Sequence, residues 1–582
     1  MENLKYTEIL QLNKQLSGTI SSAPYQIGIL SNVTVNAGKE ILEYVCRKNQ
    51  IEPAIEIGNF DNIVQDSALF QNKNLVMVFW DTLNMFDQVS GFFEDLEDDT
   101  IASFKQKIYS ELSMVFNNLS STPSVIFNCF SSAYYPINVI SESKIHRFVS
   151  ELNRYVKENA PSNFVLMDID AIFQQHGLSQ CYDQRFYLSS KAPYTVNFLK
   201  HYMVTIEPLL LRNNGKLKKA LILDCDNTLW QGIIGEDGLE GIDMAPSSKK
   251  GVFFHKIQQM AVFLSKRGII IGLCSKNNEA DVLEVLRTHK DAVLKEENIV
   301  IHKINWNDKA ANLKAIAQEL NIGTDSLVFV DDSDFEINLI REKLPEIQCI
   351  HVPTQISDYP QQLLKNIYKL FNLNPNKDDL KKTEMYKQQF QRESAKDQFG
   401  SIDDYLASLG IELTVLVDDA AYIPRISQLT QKTNQFNLTT IRYTENQIEQ
   451  FMENPKCFTA SMFVKDKFGD SGLTGVCILK EDEGDPRVIH IDSLLMSCRI
   501  LGRNIEYVFL DHVIELAEKK GYSSIRAQFI PTKKNAQVKD YYEKIGFELL
   551  RESEGTKSYS LNISTFKPRE IQYIKINTTL NA

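Results

Sequence analysis

The chain is 582 residues long, 43% hydrophobic and 24% charged, with a formal net charge of -12, which predicts several globular domains and excludes a general nucleic-acid binder, since that would carry basic clusters. No apolar run reaches the roughly 18 residues of a membrane span, and the polar start MENLKYTEIL lacks the apolar core of a signal peptide. The nine cysteines include no C-x-x-C pair, so they read as single, mostly buried thiols of a reducing cytoplasm rather than a disulfide framework or zinc site.

In chain order, Ile27–Leu30, Leu75–Phe79, Ser124–Phe127 and Phe164–Met167 are short apolar runs that predict strands. Helical patterns over 37–49, 100–118 and 142–158 separate them, and the alternation predicts a parallel, doubly wound α/β domain over 1–214. Ser31 follows the first strand, where a hydrolase nucleophile could sit. His176 and His201 are available, but neither lies in an Asp-x-x-His signal. The domain is therefore read as a scaffold or docking domain without catalysis.

Asn213–Lys218 is a polar, Gly-containing connection and marks a boundary. A second domain over 215–370 has strands at Ala220–Leu223, Gly268–Cys274, Ile299–Ile304, Ser326–Val330 and Ile347–Val352. The glycines of Gln231–Gly238 predict a hairpin or flap rather than a helix. Residues 371–400 read as a solvated helical connector. Over 401–565, strands near 412–417, 459–465, 473–480, 488–496 and 524–530, with helices near 502–519 and 535–545, predict an α+β domain. The tail over 566–582 is either a terminal strand or disordered.

Four places in the second domain share one arrangement, a polar group directly after a buried strand or at the next helix start. They are Asp224 and Asp226, Ser275, Lys309, and Asp331 with Asp332. In a parallel sheet these places converge at one edge. Carboxylates there can hold Mg2+, and one can attack phosphorus. A hydroxyl and an ammonium can hold phosphoryl oxygens, where positioning and charge neutralisation supply most of the catalysis.

The stretch Asp224-Cys-Asp-Asn-Thr228, with Ser275, Lys309 and Asp331-Asp332 in order, resembles the four motifs of the haloacid dehalogenase (HAD) superfamily. The resemblance implies that Asp224 is the nucleophile and Asp226 the acid, later the base. It implies phosphate binding by Ser275, Lys309, Thr228 and Asn277, and Mg2+ binding by Asp224, Asp226 (through its carbonyl), Asp331 and Asp332, with Asp332 preferred as the direct ligand. About 50 residues separate the first two motifs and about 33 the next two, too few for a cap domain with its own core. The site is thus expected to be open.

In the third domain, Ser497-Cys-Arg-Ile-Leu-Gly-Arg503 joins a strand to a helix, and its backbone N–H groups suit a pyrophosphate. With Asn535 and Tyr541–Phe547 it resembles the GNAT acyltransferase fold, which implies a pantetheine or CoA loop at Arg499, Gly502, Arg503 and Asn535. Asn504 stands where that pattern has Gly or Ala, so a pantetheine- or partner-binding module without acetyl transfer is preferred. Leu221–Gly238, Thr433-Asn-Gln-Phe-Asn437 and Ser497–Arg503 together resemble the FkbH-like family. That family joins an SGNH-hydrolase-like region, a capless HAD domain and a GNAT-like domain.

This resemblance implies an enzyme that removes phosphate from a glyceryl-type acyl phosphate and passes the acyl unit to an acyl carrier protein, with Mg2+ and phosphopantetheine or CoA as cofactors. It also makes Cys225, between the two acids, a candidate acyl-carrying thiol; the competing reading is a small apolar filler in the sheet. Cys274 and Cys498 read as core. The alternatives are a simple phosphatase acting on a sugar- or lipid-linked phosphate in surface-polysaccharide biosynthesis, and a non-catalytic interaction protein.

Overall fold

The apolar runs at the front of the chain lie in the strands of one parallel sheet in the computed structural model, which describes every residue except 1–3, 21–22, 88, 90–91, 136–142, 374–387, 389–400, 498–499, 533, 570 and 581–582. The strands are β1 (Tyr25–Ser31), β2 (Pro53–Ile57), β3 (Leu75–Phe79), β4 (Val125–Asn128) and β5 (Phe164–Met167). Their order is β2-β1-β3-β4-β5, all in parallel pairs. Helices Asn36–Lys48, Asp98–Asn118 and Lys144–Asn159 lie between the strands in sequence. β2 has no counterpart among the expected strands. Its first residue is Pro53, tolerated because β2 is an edge strand where a missing N–H breaks no interior ladder.

The chain forms two compact units. One holds residues 1–214 with 443–450; the other holds 215–442 and 451–582. In the second unit, β6 (Ala220–Leu223), β7 (Ile270–Ser275), β8 (Ile301–Ile304), β9 (Leu327–Asp331) and β10 (Gln348–His351) form a parallel sheet of order β10-β9-β6-β7-β8. From central β6 the chain runs outward through β7 and β8, then returns to the other side of β6 for β9 and β10. Strand order therefore reverses between β6 and β9, and a crevice opens there at the carboxyl ends. Strand alternation puts Leu221 and Leu223 in one core layer and Ala220 and Ile222 in the other.

The expected hairpin at Gln231–Gly238 is instead a short helix, Ile234–Gly241, interrupted at Gly238 (φ 67, ψ 178). The Ile233 carbonyl accepts from the N–H groups of Glu236 and Asp237 and starts the turn, and Gln231 and Asp243 exchange two backbone hydrogen bonds of 2.9 Å that close the excursion. Buried Ile234 and Ile242 anchor it to the core. Among the described residues, no separate hydrophobic core stands between β6 and β7 or between β7 and β8.

The rest of this unit carries a third sheet. Its strands are β11 (Ile411–Val417), β12 (Phe436–Asn437), β13 (Cys457–Asp466), β14 (Gly469–Glu481), β15 (Val488–Met496), β16 (Ser524–Phe529), β17 (Glu548–Ser553), β18 (Thr556–Asn562) and β19 (Ile574–Leu580). Their order is β17-β18-β16-β15-β14-β13-β11-β19, with β12 paired to β15. Pairing is antiparallel except for β15 with β16 and β11 with β19. The tail thus supplies a strand, β19. β17 is exposed along its length, which is why no apolar periodicity announces it. Among the described residues, no helix is long and apolar enough to cross a membrane.

Candidate active site

The site lies where β6, β7 and β9 end. β6 delivers Asp224, whose N–H donates to the Val330 carbonyl of β9 at 3.0 Å. β7 ends in Ser275 and β9 in Asp331. Lys309 opens the helix Lys309–Glu319 because Asp308 caps it, accepting from the N–H groups of Ala310 (2.7 Å) and Ala311 (3.1 Å).

Lys309 Nζ lies 2.6 Å from Asp331 Oδ2 and 3.3 Å from Asp224 Oδ2, and all three residues are buried. Asp331 Oδ1 also accepts from Ser333 N–H at 2.9 Å. Asp224 Oδ1, by contrast, is buried with no hydrogen-bond partner. Burial pushes the Asp224 carboxyl up to about 6, with Lys309 pulling it down and Asp331 pushing it further up. Burial likewise raises Asp331, against the pull of Lys309, and raises Asp332, with Asp224 adding to the rise. Burial works against the charge of Lys309, but Asp224 and Asp331 hold its ammonium above the ordinary lysine range.

Oxygens of Asp224, Asp331 and Asp332 lie within 4.8 Å of one another. Three carboxylates therefore face one ammonium, and one of their buried oxygens is unpartnered. An all-oxygen, acid-rich donor set of this kind fits a hard divalent cation, which would satisfy that oxygen and neutralise the excess charge.

Asp226 stands beside this cluster, held by three donors. Its Oδ1 accepts from Trp230 Nε1 at 3.0 Å and from Ile234 N–H at 3.1 Å; its Oδ2 accepts from Asn277 Nδ2 at 3.0 Å. Asn277 also donates to Ser275 Oγ at 3.0 Å, so one amide fixes both a carboxylate and a hydroxyl. Thr228 is fully buried, with its Oγ1 unpartnered. Trp230 and Asn227 carry geometry that residue type and spacing did not reveal. Asn227 turns the chain in a left-handed conformation (φ 49) and accepts from Gly232 N–H at 3.1 Å. An aromatic N–H donor four residues after Asp226 was the available signal for Trp230.

Cys225 carries two competing readings, an acyl-carrying thiol and a small apolar filler. Cys225 is fully buried and packs with Leu221, Leu223, Leu229 and Trp230. Burial pushes its thiol well up, and the neighbouring Asp224 charge adds to the rise. It lies just past the end of β6 and shares a core cluster with Leu221 and Leu223, the place of a small apolar filler. Cys274 is also in the core; Cys498 lies outside the described residues.

No protein-family model matches the chain, and no curated protein matches its sequence. Among solved structures, the chain is similar to the N-terminal part of a Bacteroides fragilis protein that contains a phosphatase domain and is complexed with Mg. Identity is 23%, the alignment covers 63% of this chain and 99% of that one, and the TM-score is 0.54. The two share a fold. An IAA acetyltransferase from Bacillus cereus (16% identity, 26% of this chain and 99% of that one, TM-score 0.20) and a PaiA N-acetyltransferase from Thermoplasma acidophilum in complex with coenzyme A (19% identity, 20% and 68%, TM-score 0.17) align over shorter stretches.

In the first unit, Asn32 bridges the ends of β1 and β3 at the corresponding switch point. Asn32 Nδ2 donates to the Asp81 carbonyl at 2.9 Å, and Asp81 N–H donates back to Asn32 Oδ1 at 2.6 Å. Ser31 Oγ donates to the Val33 carbonyl at 2.5 Å, while the rings of His176 and His201 stack on each other at 3.4 Å.

The residues of the expected pantetheine loop have these surroundings. Arg499 lies outside the described residues. Gly502 adopts φ 78 and Asn504 φ 62, so the chain enters the helix Ile505–Lys519 through two left-handed residues. Asn504 Nδ2 donates to Tyr573 Oη at 2.7 Å. Arg503 is buried and pairs with Asp466 at 2.9 Å. Asn535 is fully buried, donating to the Asn437 and Ile530 carbonyls, both at 2.9 Å, and accepting from Thr532 N–H at 2.7 Å. Arg503 and Asn535 are thus both tied to other parts of the same domain.

Proposed function

We propose that the second domain is a Mg2+-dependent phosphatase of the HAD type, with Asp224 as nucleophile. The observation that carries this reading is the buried, unpartnered Asp224 Oδ1 beside Asp331, Asp332 and Lys309. The similarity to a Mg-complexed phosphatase-domain structure supports it at the level of fold. Asp224, Asp331 and Asp332 would hold the cation, which would offset charge on the phosphoryl oxygens.

The chain's own groups do the rest. Asp224 attacks phosphorus and the bond to the leaving oxygen breaks. Lys309 and Ser275 hold phosphoryl oxygens. Asp226, fixed by Trp230, Ile234 N–H and Asn277, gives a proton to an alkoxide leaving group and then takes one from the water that hydrolyses the aspartyl-phosphate. Asn277 acts through Ser275 and Asp226 as a positioning residue.

The substrate reading is a glyceryl-type acyl phosphate whose acyl unit passes to an acyl carrier protein in the cytoplasm. The four-motif resemblance and the lack of a separate cap core over the site support it. Chemistry separates this reading from simple hydrolysis. Attack by Asp224 on phosphorus yields free carboxylate and cannot leave an activated acyl group. Transfer requires the carrier thiol to attack the acyl carbon, breaking the C–O bond, with phosphate departing into the Ser275 and Lys309 pocket. The burial of Cys225 supports direct attack by the carrier thiol over a relay through this residue.

The deciding experiment is turnover in 18O-labelled water with Mg2+, with and without a carrier protein. Phosphorus attack puts the label in phosphate; thiol attack leaves phosphate unlabelled and yields a thioester. Label in phosphate under all conditions, with sugar or lipid phosphates as better substrates, would favour the simple phosphatase of surface-polysaccharide biosynthesis. No phosphate from any substrate, with Asp224→Asn identical to wild type, would favour a non-catalytic interaction protein.

A further inference from the structure

The Thr433–Asn437 stretch has no part in the phosphoryl-transfer site, yet it occupies a defined place in the third sheet. β15 and β16 run parallel but pair only between Val488–Ile491 and Ser524–Ala527. Farther along, one edge of β15 is taken by β14, with Gly475 opposite Met496 and Val476 opposite Leu495. The other edge, the one that faces β16, is taken by β12, with Phe436 opposite Met496 and Asn437 opposite Leu495.

The segment bonds to both flanking strands. Leu438 N–H donates to the Leu494 carbonyl at 3.1 Å, and Ile530 N–H, just past β16, donates to the Leu438 carbonyl at 2.8 Å. Asn535 clamps it from the side, donating to the Asn437 and Ile530 carbonyls. Two parallel strands that stop pairing leave backbone N–H and C=O groups in need of partners. An extended arm carrying amides could enter such a gap as an added strand. Here residues 436–438 already fill it.

The anchoring is that of a core strand. Phe436 and Leu438 are buried in the main cluster of this domain, and the Phe436 ring meets Tyr541 edge-on at 5.0 Å. Asn437 is fully buried and closes its own turn, donating to the Thr433 carbonyl at 3.2 Å and accepting from Thr440 N–H at 2.8 Å. Thr439 Oγ1 donates to the Asp492 carbonyl at 3.0 Å.

We propose that residues 436–438 are a built-in strand that permanently occupies the gap between β15 and β16, so that no pantetheine-type arm, whether of CoA or of a carrier protein, binds there. CoA and phosphopantetheine thus do not fit as cofactors seated in this sheet. The internal commitment of Asn535 follows from the same construction.

Hydrogen exchange read by mass spectrometry on the full chain tests this, with acetyl-CoA added up to millimolar concentration as the probe. The amides of Leu438 and Ile530 are expected to exchange slowly and to be unaffected by acetyl-CoA. Acetyl-CoA that binds while these amides stay protected sits outside the gap and agrees with the proposal. Saturable, concentration-dependent acceleration of exchange over 435–440 would overturn it, as would exchange at the unprotected rate without ligand. In Asn535→Ala, loss of the clamp is expected to speed exchange over 436–438 by about five- to tenfold; unchanged exchange in a folded variant would refute the clamp. If that variant does not fold, the wild-type measurement alone decides.

Discussion

Asp224→Asn should stabilise the metal-free protein while abolishing turnover. Burial and Asp331 raise the Asp224 carboxyl from 3.8 to about 6. Because the folded-state value lies above the unfolded one, the native chain binds this proton more tightly. The associated stability is present below about pH 4 and is lost as pH rises through about 6. Keeping Asp224 ionised at pH 8 then costs up to about 3 kcal/mol. The near-isosteric Asn carries no such cost, and Lys309 keeps its 2.6 Å partner Asp331. At roughly 2–4 °C per kcal/mol for a domain of this size, the variant should melt up to about 6–12 °C higher in EDTA at pH 8. At pH 4 the difference should vanish. Mg2+ should raise the wild type and leave the variant nearly unmoved, because a cation is stabilised by the charge that the variant lacks. Calorimetry at both pH values, following the transition that Mg2+ shifts, reads all three effects. A variant that melts below the wild type in EDTA at pH 8, or a gap equally large at pH 4, would refute the electrostatic account.

Lys309→Met leaves Asp331 and Asp224 buried without their cation. In EDTA at neutral pH it should lose about 3–5 kcal/mol of stability by denaturant titration, with partial recovery on adding Mg2+. Asn277→Ala frees both Ser275 Oγ and Asp226 Oδ2; kcat should fall about 10²-fold through misplacement, with melting nearly unchanged. Cys225→Ala should keep turnover within about twofold and lose about 1 kcal/mol from the small cavity. Intact-mass analysis should find no acyl adduct on either form; an adduct present only when Cys225 is present would restore the thiol to the mechanism.

Much of the second domain was legible because its local and global signals agree. Each short apolar run there has the length of a buried parallel strand, and those ending at Leu223, Cys274 and Val330 are followed directly by Asp224, Ser275 and Asp331. Asp224, Ser275 and Asp331 come together because strands in a parallel sheet end at one edge. The acidic, oxygen-only donor set was visible in the same way. The flap was read less well. Its glycines suggest a turn, but whether the intervening residues coil into a helix depends on Ile234 and Ile242 finding a core to enter.

Other features were decided by tertiary contacts alone. Cys225, between two acids, reads as a candidate reactive thiol, whereas packing just beyond β6 places it in the core cluster. Arg503 and Asn535 look like ligand groups in a loop, but Asp466 and Asn437, 37 and 98 residues away, claim them. β17 gives no apolar signal because no residue of it is buried. The role of Thr433–Asn437 was equally invisible, since two residues of strand are too short for any periodicity. Sequence by itself determined which residue types stand at strand ends, and so the class of chemistry. Only the folded chain decided which of those groups face one another and which are closed into the core, because hydrogen bonds between distant residues and burial are properties of packing, not of spacing.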